Sequence, residues 1–279
     1  MFYDDRVLRE VSSIYDFPNL EEIYGDLVAA LGEAASIVSH EVSGASLSTE
    51  PLSIGSFVSH TNSNQSCTLD FLITSSNFAI IDNDLAFTKL KSKKQKEELL
   101  TTGRLRHALM QILAGYFTSA TKFYMMPNCL FIESIFELGF NINVFVGVEK
   151  NGVIYSLDAI NNKVVRFNCE KYYQMIEKKN DETLGQFRRI INMTVNLLSN
   201  CEASMSNYAI ESLLYNVPSE LYKGSYSDMI IKVINYLNIV DFRTFKSIDL
   251  EDNLVNNAFI NTSFYTYKSN ISKLVESLR

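Results

Sequence analysis

The sequence has few cysteines and histidines and no long apolar run, and each of these shortages excludes a class of protein. The four cysteines form no C-x-x-C pair and have no histidine at metal-site spacing: Cys67, Cys129, Cys169 and Cys201. No stretch approaches about 18 apolar residues, and residues 1–30 carry several charges instead of an apolar signal segment. We therefore predict a cytoplasmic protein with free thiols and no membrane segment.

Basic residues are also scarce. The chain has 25 Lys and Arg against 32 Asp and Glu, which gives a net charge of −7 and a pI near 5.1. Such a balance argues against a broad basic surface for duplex nucleic acid, so any anion site must be local. With 279 residues, 47% of them hydrophobic, the chain can bury a sizeable core.

The hydrophobic pattern changes along the chain. Apolar residues at three- and four-residue intervals predict a long helix over residues 19–39. Short β-rich runs follow, including residues 68–74 and 142–149, and Asn151-Gly152 predicts a hairpin turn. From about residue 183 the pattern is helical. We predict an α/β (α+β) fold with a mixed, roughly five-stranded sheet, in which residues 1–180 form the core and residues 181–279 form a helical domain.

The chemically most informative stretch is Ile54-Gly-Ser-Phe-Val-Ser-His-Thr, followed by Thr68-Leu-Asp70. A glycine lets the backbone approach an anion closely, and a serine hydroxyl with backbone amides hydrogen-bonds the oxygens of a phosphate. A carboxylate on the following strand is a ligand that a divalent metal ion prefers. Gly55, Ser56 and Asp70 are therefore candidate site residues.

This pattern resembles that of the polymerase-β-like nucleotidyltransferase superfamily, in which a Gly-Ser pair is followed by Asp-x-Asp on a strand. The resemblance implies that the Gly-Ser pair binds a triphosphate and that the carboxylates hold two magnesium ions for in-line attack. The segment from Ala209 to Pro218 is similar to a helix-ending segment of bacterial nucleotidyltransferases related to the cyclic-oligonucleotide synthases of antiviral defence. The resemblance covers most of the chain from about Tyr24 and implies a CD-NTase-like nucleotidyltransferase core. It also implies a nucleoside triphosphate or oligonucleotide as ligand, a protein partner, and Mg²⁺ or Mn²⁺ as cofactor in an active member only.

The sequence departs from the family where the metal ligands should stand. Thr68 replaces the first aspartate of Asp-x-Asp, and the strand of the third carboxylate offers Asn141, Asn143 and Phe145 instead. A hydroxyl or an amide does not replace a charged magnesium ligand. Asp70 therefore remains as a residual catalytic residue and a weak metal ligand, which suggests a pseudoenzyme.

The resemblance also implies basic side chains on the helix after residue 183. Arg188 and Arg189 are present there and are candidate nucleotide-binding residues together with Gly55 and Ser56. Asn192 and Val195 stand where the family has Arg and Lys.

Several other features have two interpretations. Asp82-Asn-Asp84 is either a turn, which its side chains favour, or a source of metal ligands. The lysine-dense segment at residues 89–100 is either a solvated helix face or a phosphate-contacting one. His60 is either a surface residue or a ligand contact. The tyrosines after Lys122 and Lys171 are either ordinary packing residues or platforms for bases.

Three functions remain open. The first is a catalytically degenerate nucleotidyltransferase that binds a nucleotide, an oligonucleotide or a protein partner. The second is an active enzyme whose missing carboxylates come from Glu149 or from Asp82 and Asp84. The third is an unrelated α/β interaction protein, in which the Gly55-Ser56 pair is only a turn.

Overall fold

The structure is a computed structural model, and it describes residues 20–61, 68–75, 102–126, 128–133, 140–150, 153–158, 163–201, 203, 205–249, 253–256 and 263–278. The chain divides into two compact units. The sheet unit contains the described residues of 16–54 and 68–167. The helical unit contains residues 55–61 and the described residues from 168 onward.

Two helices and seven strands make up the described part of the sheet unit. They are α1 (Leu20–Glu41), β1 (Leu52–Ile54), β2 (Thr68–Thr74), α2 (Thr102–Leu113), β3 (Lys122–Met125), β4 (Leu130–Glu133), β5 (Asn141–Lys150), β6 (Val153–Asp158) and β7 (Lys163–Asn168). Five strands follow the order β1-β2-β5-β4-β3, while β6 pairs with the far end of β5 and also with β7. The predicted mixed sheet is confirmed, with two more strands than the rough estimate.

The strand pairings place β2 and β5 side by side. β2 and β5 run parallel, whereas β1 is antiparallel to β2 and β4 is antiparallel to β5. Parallel neighbours need a long crossover connection, which agrees with the 66 residues between Thr74 and Asn141.

Helix α1 covers the apolar side of this unit with a stripe that recurs every three or four residues: Leu27, Leu31, Ala34, Ala35 and Val38 are all buried. Gly32 lies on the same helix, where a Cβ would stand 2.3 Å from the carbonyl oxygen of Thr49. Helix α2 packs against α1 and against β3, β4 and β5. The helices therefore bury one face of the sheet.

The helical unit contains five α-helices among its described residues. They are α3 (Cys169–Glu182), α4 (Gln186–Asn200), α5 (Asn207–Tyr215), α6 (Tyr226–Ile239) and α7 (Phe264–Ser277), and three short 3₁₀ turns connect them. The side chains of Asn168, Ser206, Ser225 and Ser263 cap α3, α5, α6 and α7 by accepting a backbone N–H. Helix α4 is buried at every position from Ile190 to Leu198, so it is the central helix of this unit.

The predicted helices agree closely with the observed ones, and the long N-terminal helix ends at Glu41. The Asn151-Gly152 turn, the Asp82-Asn-Asp84 segment and the lysine-dense segment lie outside the described residues. The proposed domain boundary at residue 180 stays a prediction. No helix in the described ranges combines the length and apolarity needed to cross a membrane.

Candidate functional site

One face of the sheet presents polar side chains where β2 and β5 lie side by side. Thr68 and Asp70 project on one side of β2, and Asn141 and Asn143 stand directly across from them on β5. These four residues are partly exposed, whereas the alternating residues of both strands are buried: Leu69, Phe71, Ile142 and Val144. The alternation of a strand therefore separates an apolar face from a polar one.

Asp70 and Asn143 interact directly. The Asn143 amide donates a hydrogen bond to Asp70 Oδ1 at 2.8 Å, and the Asn143 oxygen lies 3.5 Å from the Cys129 thiol, which donates to it. Burial raises the pKa of Asp70 to about 7, although the hydrogen bond from Asn143 lowers it. Burial likewise raises the pKa of Cys129 to about 12. Close to neutral pH, Asp70 is therefore divided between its protonated and its charged form.

These donors do not fit a pair of magnesium ions. The four residues of the polar face supply one carboxylate, whose proton affinity is raised, together with two amides and a hydroxyl. Mg²⁺ gives up its water reluctantly and is held through carboxylates. Within the described ranges, no three His, Cys, Asp or Glu side chains come close enough to hold a metal ion.

Asn141 offers a different kind of group on the same face. Its Oδ1 atom is buried and has no hydrogen-bond partner among the residues that the structure describes. A buried acceptor without a partner is costly, and such atoms mark places where a ligand or a water completes the bonding. The face therefore suits a neutral hydrogen-bonding group better than a metal ion.

Glu149 was one candidate for a missing carboxylate. It lies on β5, six residues beyond Asn143. At about 3.3 Å per residue, the two positions are about 20 Å apart along the strand. Glu149 and Asp70 therefore cannot bind the same metal ion.

Residues 55–61 form a hydrogen-bonded turn in the helical unit. The amide of Ser59 bonds to the carbonyl of Gly55 at 3.1 Å, and that of Thr61 bonds to the carbonyl of Ser56 at 2.9 Å. Gly55 has a φ of 76° and His60 a φ of 55°, so two of these seven residues adopt the left-handed conformation. Ser56, Ser59 and Thr61 are buried. We call this segment the Gly-Ser turn.

The Gly-Ser turn is bonded to a buried carboxylate on α5. Glu211, which is fully buried, accepts hydrogen bonds from Thr61 Oγ1 and, at 2.7 Å, from the Tyr172 hydroxyl. The Ser59 hydroxyl lies 3.0 Å from the Tyr172 hydroxyl and 2.8 Å from Thr61 Oγ1. Sequence reasoning missed Glu211, although a lone charge within the apolar run Ala209-Ile-Glu-Ser-Leu-Leu could have indicated it.

Arg188 and Arg189 have different surroundings. Arg188 Nε donates to the carbonyl of Ser59 at 2.8 Å, and its guanidinium forms an ion pair with Glu177. The exposed Arg189 donates to the Tyr226 hydroxyl and lies 5.8 Å from the centre of that ring. The structure therefore brings Arg188 to the Gly-Ser turn and leaves Arg189 outside it, while Asn192 and Val195 are buried. The nucleotide-binding roles of both arginines stay predictions.

The left-handed conformation of His60 leads to a testable expectation. His60 is exposed, and glycine adopts a positive φ without the steric cost of a Cβ. We expect His60→Gly to raise the free energy of unfolding by about 0.5–1 kcal/mol, because the relief of strain exceeds the added entropy of the unfolded chain. Urea denaturation measures the change. Val58→Gly, at an exposed position of the same turn whose φ is not positive, should instead lower it; the same sign for both variants would contradict the assignment.

Comparison with known proteins finds a family model that matches the helical part of the chain. Residues 174–273 match the family model described as the cGAS/DncV-like nucleotidyltransferase C-terminal helical domain. No curated protein matches the chain significantly in sequence.

Solved structures match over nearly the whole length. The CdnE cyclic dinucleotide synthase of Elizabethkingia meningoseptica, solved with GTP and Apcpp, is 16% identical, with 99% of each chain covered and a TM-score of 0.68. The CdnE c-UMP-AMP synthase of Rhodothermus marinus is also 16% identical, with 98% and 95% covered and a TM-score of 0.65. CdnC of Escherichia coli MS115-1, in a complex named CdnC:HORMA-deltaN, is 11% identical, with 98% and 87% covered and a TM-score of 0.58.

The resemblance inferred from the Gly-Ser pair and from the segment ending at Pro218 is thus confirmed. The chain has the fold of these nucleotidyltransferases, and residues 174–273 match the model of the cGAS/DncV-like C-terminal helical domain.

Proposed function

We propose that this protein uses the nucleotidyltransferase fold to bind a nucleotide or an oligonucleotide without transferring it. The observation that carries the proposal is the pair formed by Asp70 and Asn143. Directly across from Asp70, where a second carboxylate would share a metal ion, stands an amide that donates a hydrogen bond to it. Thr68 on the same face adds no charge either.

The amide nitrogen of Asn143 is a hydrogen-bond donor, so it cannot coordinate a cation at that position. A carboxylate oxygen that accepts a hydrogen bond from Asn143 has less capacity to coordinate a cation, and the raised pKa of Asp70 adds competition from a proton. The same groups suit a neutral polar ligand, because an amide edge pairs with the hydrogen-bonding edge of a nucleobase.

Within the helical unit, we propose the Gly-Ser turn as a phosphate-binding segment. The left-handed Gly55 allows the backbone to approach an anion, and Arg188, which also pairs with Glu177, lies at the same turn through its bond to the Ser59 carbonyl. Two of the related structures contain nucleotides, namely GTP with Apcpp and Apcpp with Upnpp, which supports a nucleotide as ligand. A protein partner, by analogy with the CdnC:HORMA-deltaN complex, and a role in antiviral defence are further proposals that rest on the likeness alone.

Incubation with each labelled ribonucleoside triphosphate tests the proposal. We expect no product with either Mg²⁺ or Mn²⁺. At least one triphosphate should raise the melting temperature by several degrees at a concentration about 100 times its Kd, which corresponds to about 2.7 kcal/mol. The shift should persist in EDTA, because the proposed contacts require no metal.

Asp70→Ala provides the decisive variant, and Asp26→Ala, at an exposed position of α1, is its matched control. Turnover that Asp70→Ala abolishes and Asp26→Ala preserves would contradict the proposal. Such a result would establish the active metal-dependent nucleotidyltransferase instead.

A further inference from the structure

Glu211 is an acidic side chain with no exposed surface, and its hydrogen bonds reach a distant part of the chain. Its Oε1 atom accepts from Thr61, which is 150 residues away, and its Oε2 atom accepts from Tyr172 on α3. A carboxylate is strongly disfavoured in a protein interior unless hydrogen bonds compensate for the water that it loses. The helical unit must therefore keep Thr61 and Tyr172 in place to donate these hydrogen bonds.

Both oxygens of Glu211 accept a hydroxyl proton in this cluster. Oε1 accepts from Thr61, whose hydroxyl also lies 3.3 Å from the Ser56 carbonyl oxygen, and Oε2 accepts from Tyr172. The Ser59 hydroxyl donates to the Ser56 carbonyl at 3.3 Å and also lies within hydrogen-bond distance of the Tyr172 and Thr61 oxygens. Burial and the neighbouring Glu211 raise the pKa of Tyr172 well above its ordinary value, so Tyr172 remains a donor.

The segment that this cluster holds is conformationally strained. Residue 60 is a histidine at a φ of 55°, and a non-glycine residue keeps this conformation when surrounding contacts determine it. Thr61, directly after His60, is fixed by its bonds to Glu211 and to the Ser56 carbonyl. Ser59, directly before it, is fixed by its hydroxyl contacts and by Arg188. Strain held in this way is typical of sites whose geometry is prepared before a ligand arrives.

We infer that Glu211 is a positioning residue that holds the Gly-Ser turn in its ligand-ready conformation. The inference rests on the proposed function, because the ligand is the nucleotide that the turn is proposed to bind. Glu211 acts from α5 through Thr61, Ser59 and Tyr172 and contacts no phosphate itself. A turn that is already ordered loses less conformational entropy when it binds the ligand. If the turn becomes disordered, binding is therefore weaker although every ligand contact is still present.

Glu211→Gln isolates this role, because glutamine keeps the length and shape of the side chain. The NH2 group of the glutamine donates a hydrogen bond to the hydroxyl of either Thr61 or Tyr172. The hydroxyl that accepts it must then donate its own proton to another acceptor. If Tyr172 turns its proton, Ser59 must accept it, and the disturbance reaches the turn. Ser212→Ala is the matched control: Ser212 is also fully buried on α5, but its hydroxyl accepts from the amide of Ile248.

Hydrogen exchange of the full-length protein reads out the turn directly. In Glu211→Gln we expect the amides of Ser59 and Thr61 to exchange about tenfold faster, while amides in the middle of α4 keep their wild-type rates. Ser212→Ala should leave residues 55–61 unchanged. Wild-type rates at Ser59 and Thr61 in Glu211→Gln would overturn the inference. So would an equal acceleration throughout the helical unit in both variants, because Glu211 would then stabilise the fold only.

Titration with the four ribonucleoside triphosphates forms the second arm. A triphosphate that binds the wild-type protein should bind Glu211→Gln about tenfold more weakly and Ser212→Ala equally well. If no triphosphate binds the wild-type protein, the proposed function fails, while the exchange result still decides whether Glu211 holds the turn. Tyr172→Phe, which removes one donor and keeps the bond from Thr61, is the second variant if Glu211→Gln does not fold. It should accelerate exchange at Ser59 in the same direction.

Discussion

A variant carrying both Thr68→Asp and Asn143→Asp is expected to bind Mn²⁺ at least about 100-fold more tightly than the wild-type protein, a gain of about 2.7 kcal/mol. Asn143 stands directly across from Asp70 on the parallel strand, and Thr68 precedes Asp70 by two residues on the same face of β2. The two substitutions therefore place three carboxylates on adjacent positions of one sheet face. Three oxygen ligands of this kind give a divalent cation the charge that a single carboxylate lacks.

Calorimetric titration at pH 8, with and without EDTA, measures the affinity. The matched control is Thr74→Asp with Asn143→Asp, which adds the same charge but places one carboxylate at the other end of β2. Its position is six residues from Thr68, about 20 Å along the strand, so it cannot join the cluster. If the wild-type protein already binds Mn²⁺ as tightly as the variant does, the proposal of a degenerate site is wrong.

Asp70→Asn should make the protein more stable at alkaline pH and leave it unchanged in acid. The folded protein raises the pKa of Asp70 from 3.8 to about 7, so below pH 4 the carboxyl is protonated in both the folded and the unfolded state. As the pH rises from 4 to 7, the unfolded chain releases this proton first, and the wild-type protein loses stability. Asparagine has no proton to lose and escapes this cost.

We expect the gain to reach about 2 kcal/mol at pH 8, since each pKa unit corresponds to about 1.4 kcal/mol and the partial exposure of Asp70 reduces the full effect. Urea denaturation at pH 4, 6 and 8 measures it. Asp241→Asn is a control of opposite sign: hydrogen bonds from Arg243 lower the pKa of Asp241 to about 2, so its removal should not stabilise the protein at pH 8. A gain for Asp70→Asn that is the same at all three pH values would contradict the raised pKa.

The parts of the fold that depend on local pattern were predictable from the sequence. The stripe that includes Leu27, Leu31 and Ala35 predicted the long first helix, and the alternation along β2 and β5 separated polar from apolar positions. The sequence also showed that an amide, Asn143, stands where the family has its third carboxylate. Residues at alternate positions of a strand share a face, so the side chains near the motif could be identified.

The features that depend on distant contacts were not predictable. Nothing local to Glu211 indicates that Thr61 lies against it, because the pairing arises only when α5 packs beside the Gly-Ser turn. The raised pKa of Asp70 likewise depends on how completely the surrounding strands bury it. For the same reason the sequence could associate Arg188 with the nucleotide but could not show its bond to the Ser59 carbonyl.

The Gly-Ser turn lies between two strands of the sheet unit in sequence, yet it packs with the helical unit. The segment recognised as the C-terminal helical domain begins at residue 174 and therefore contains Glu211 but not Ser59, Thr61 or Tyr172. Excised at those limits, it would lose the three hydroxyl groups that surround its buried carboxylate. The compact helical unit therefore extends beyond the matched segment, because it also includes residues 55–61 from the first half of the chain.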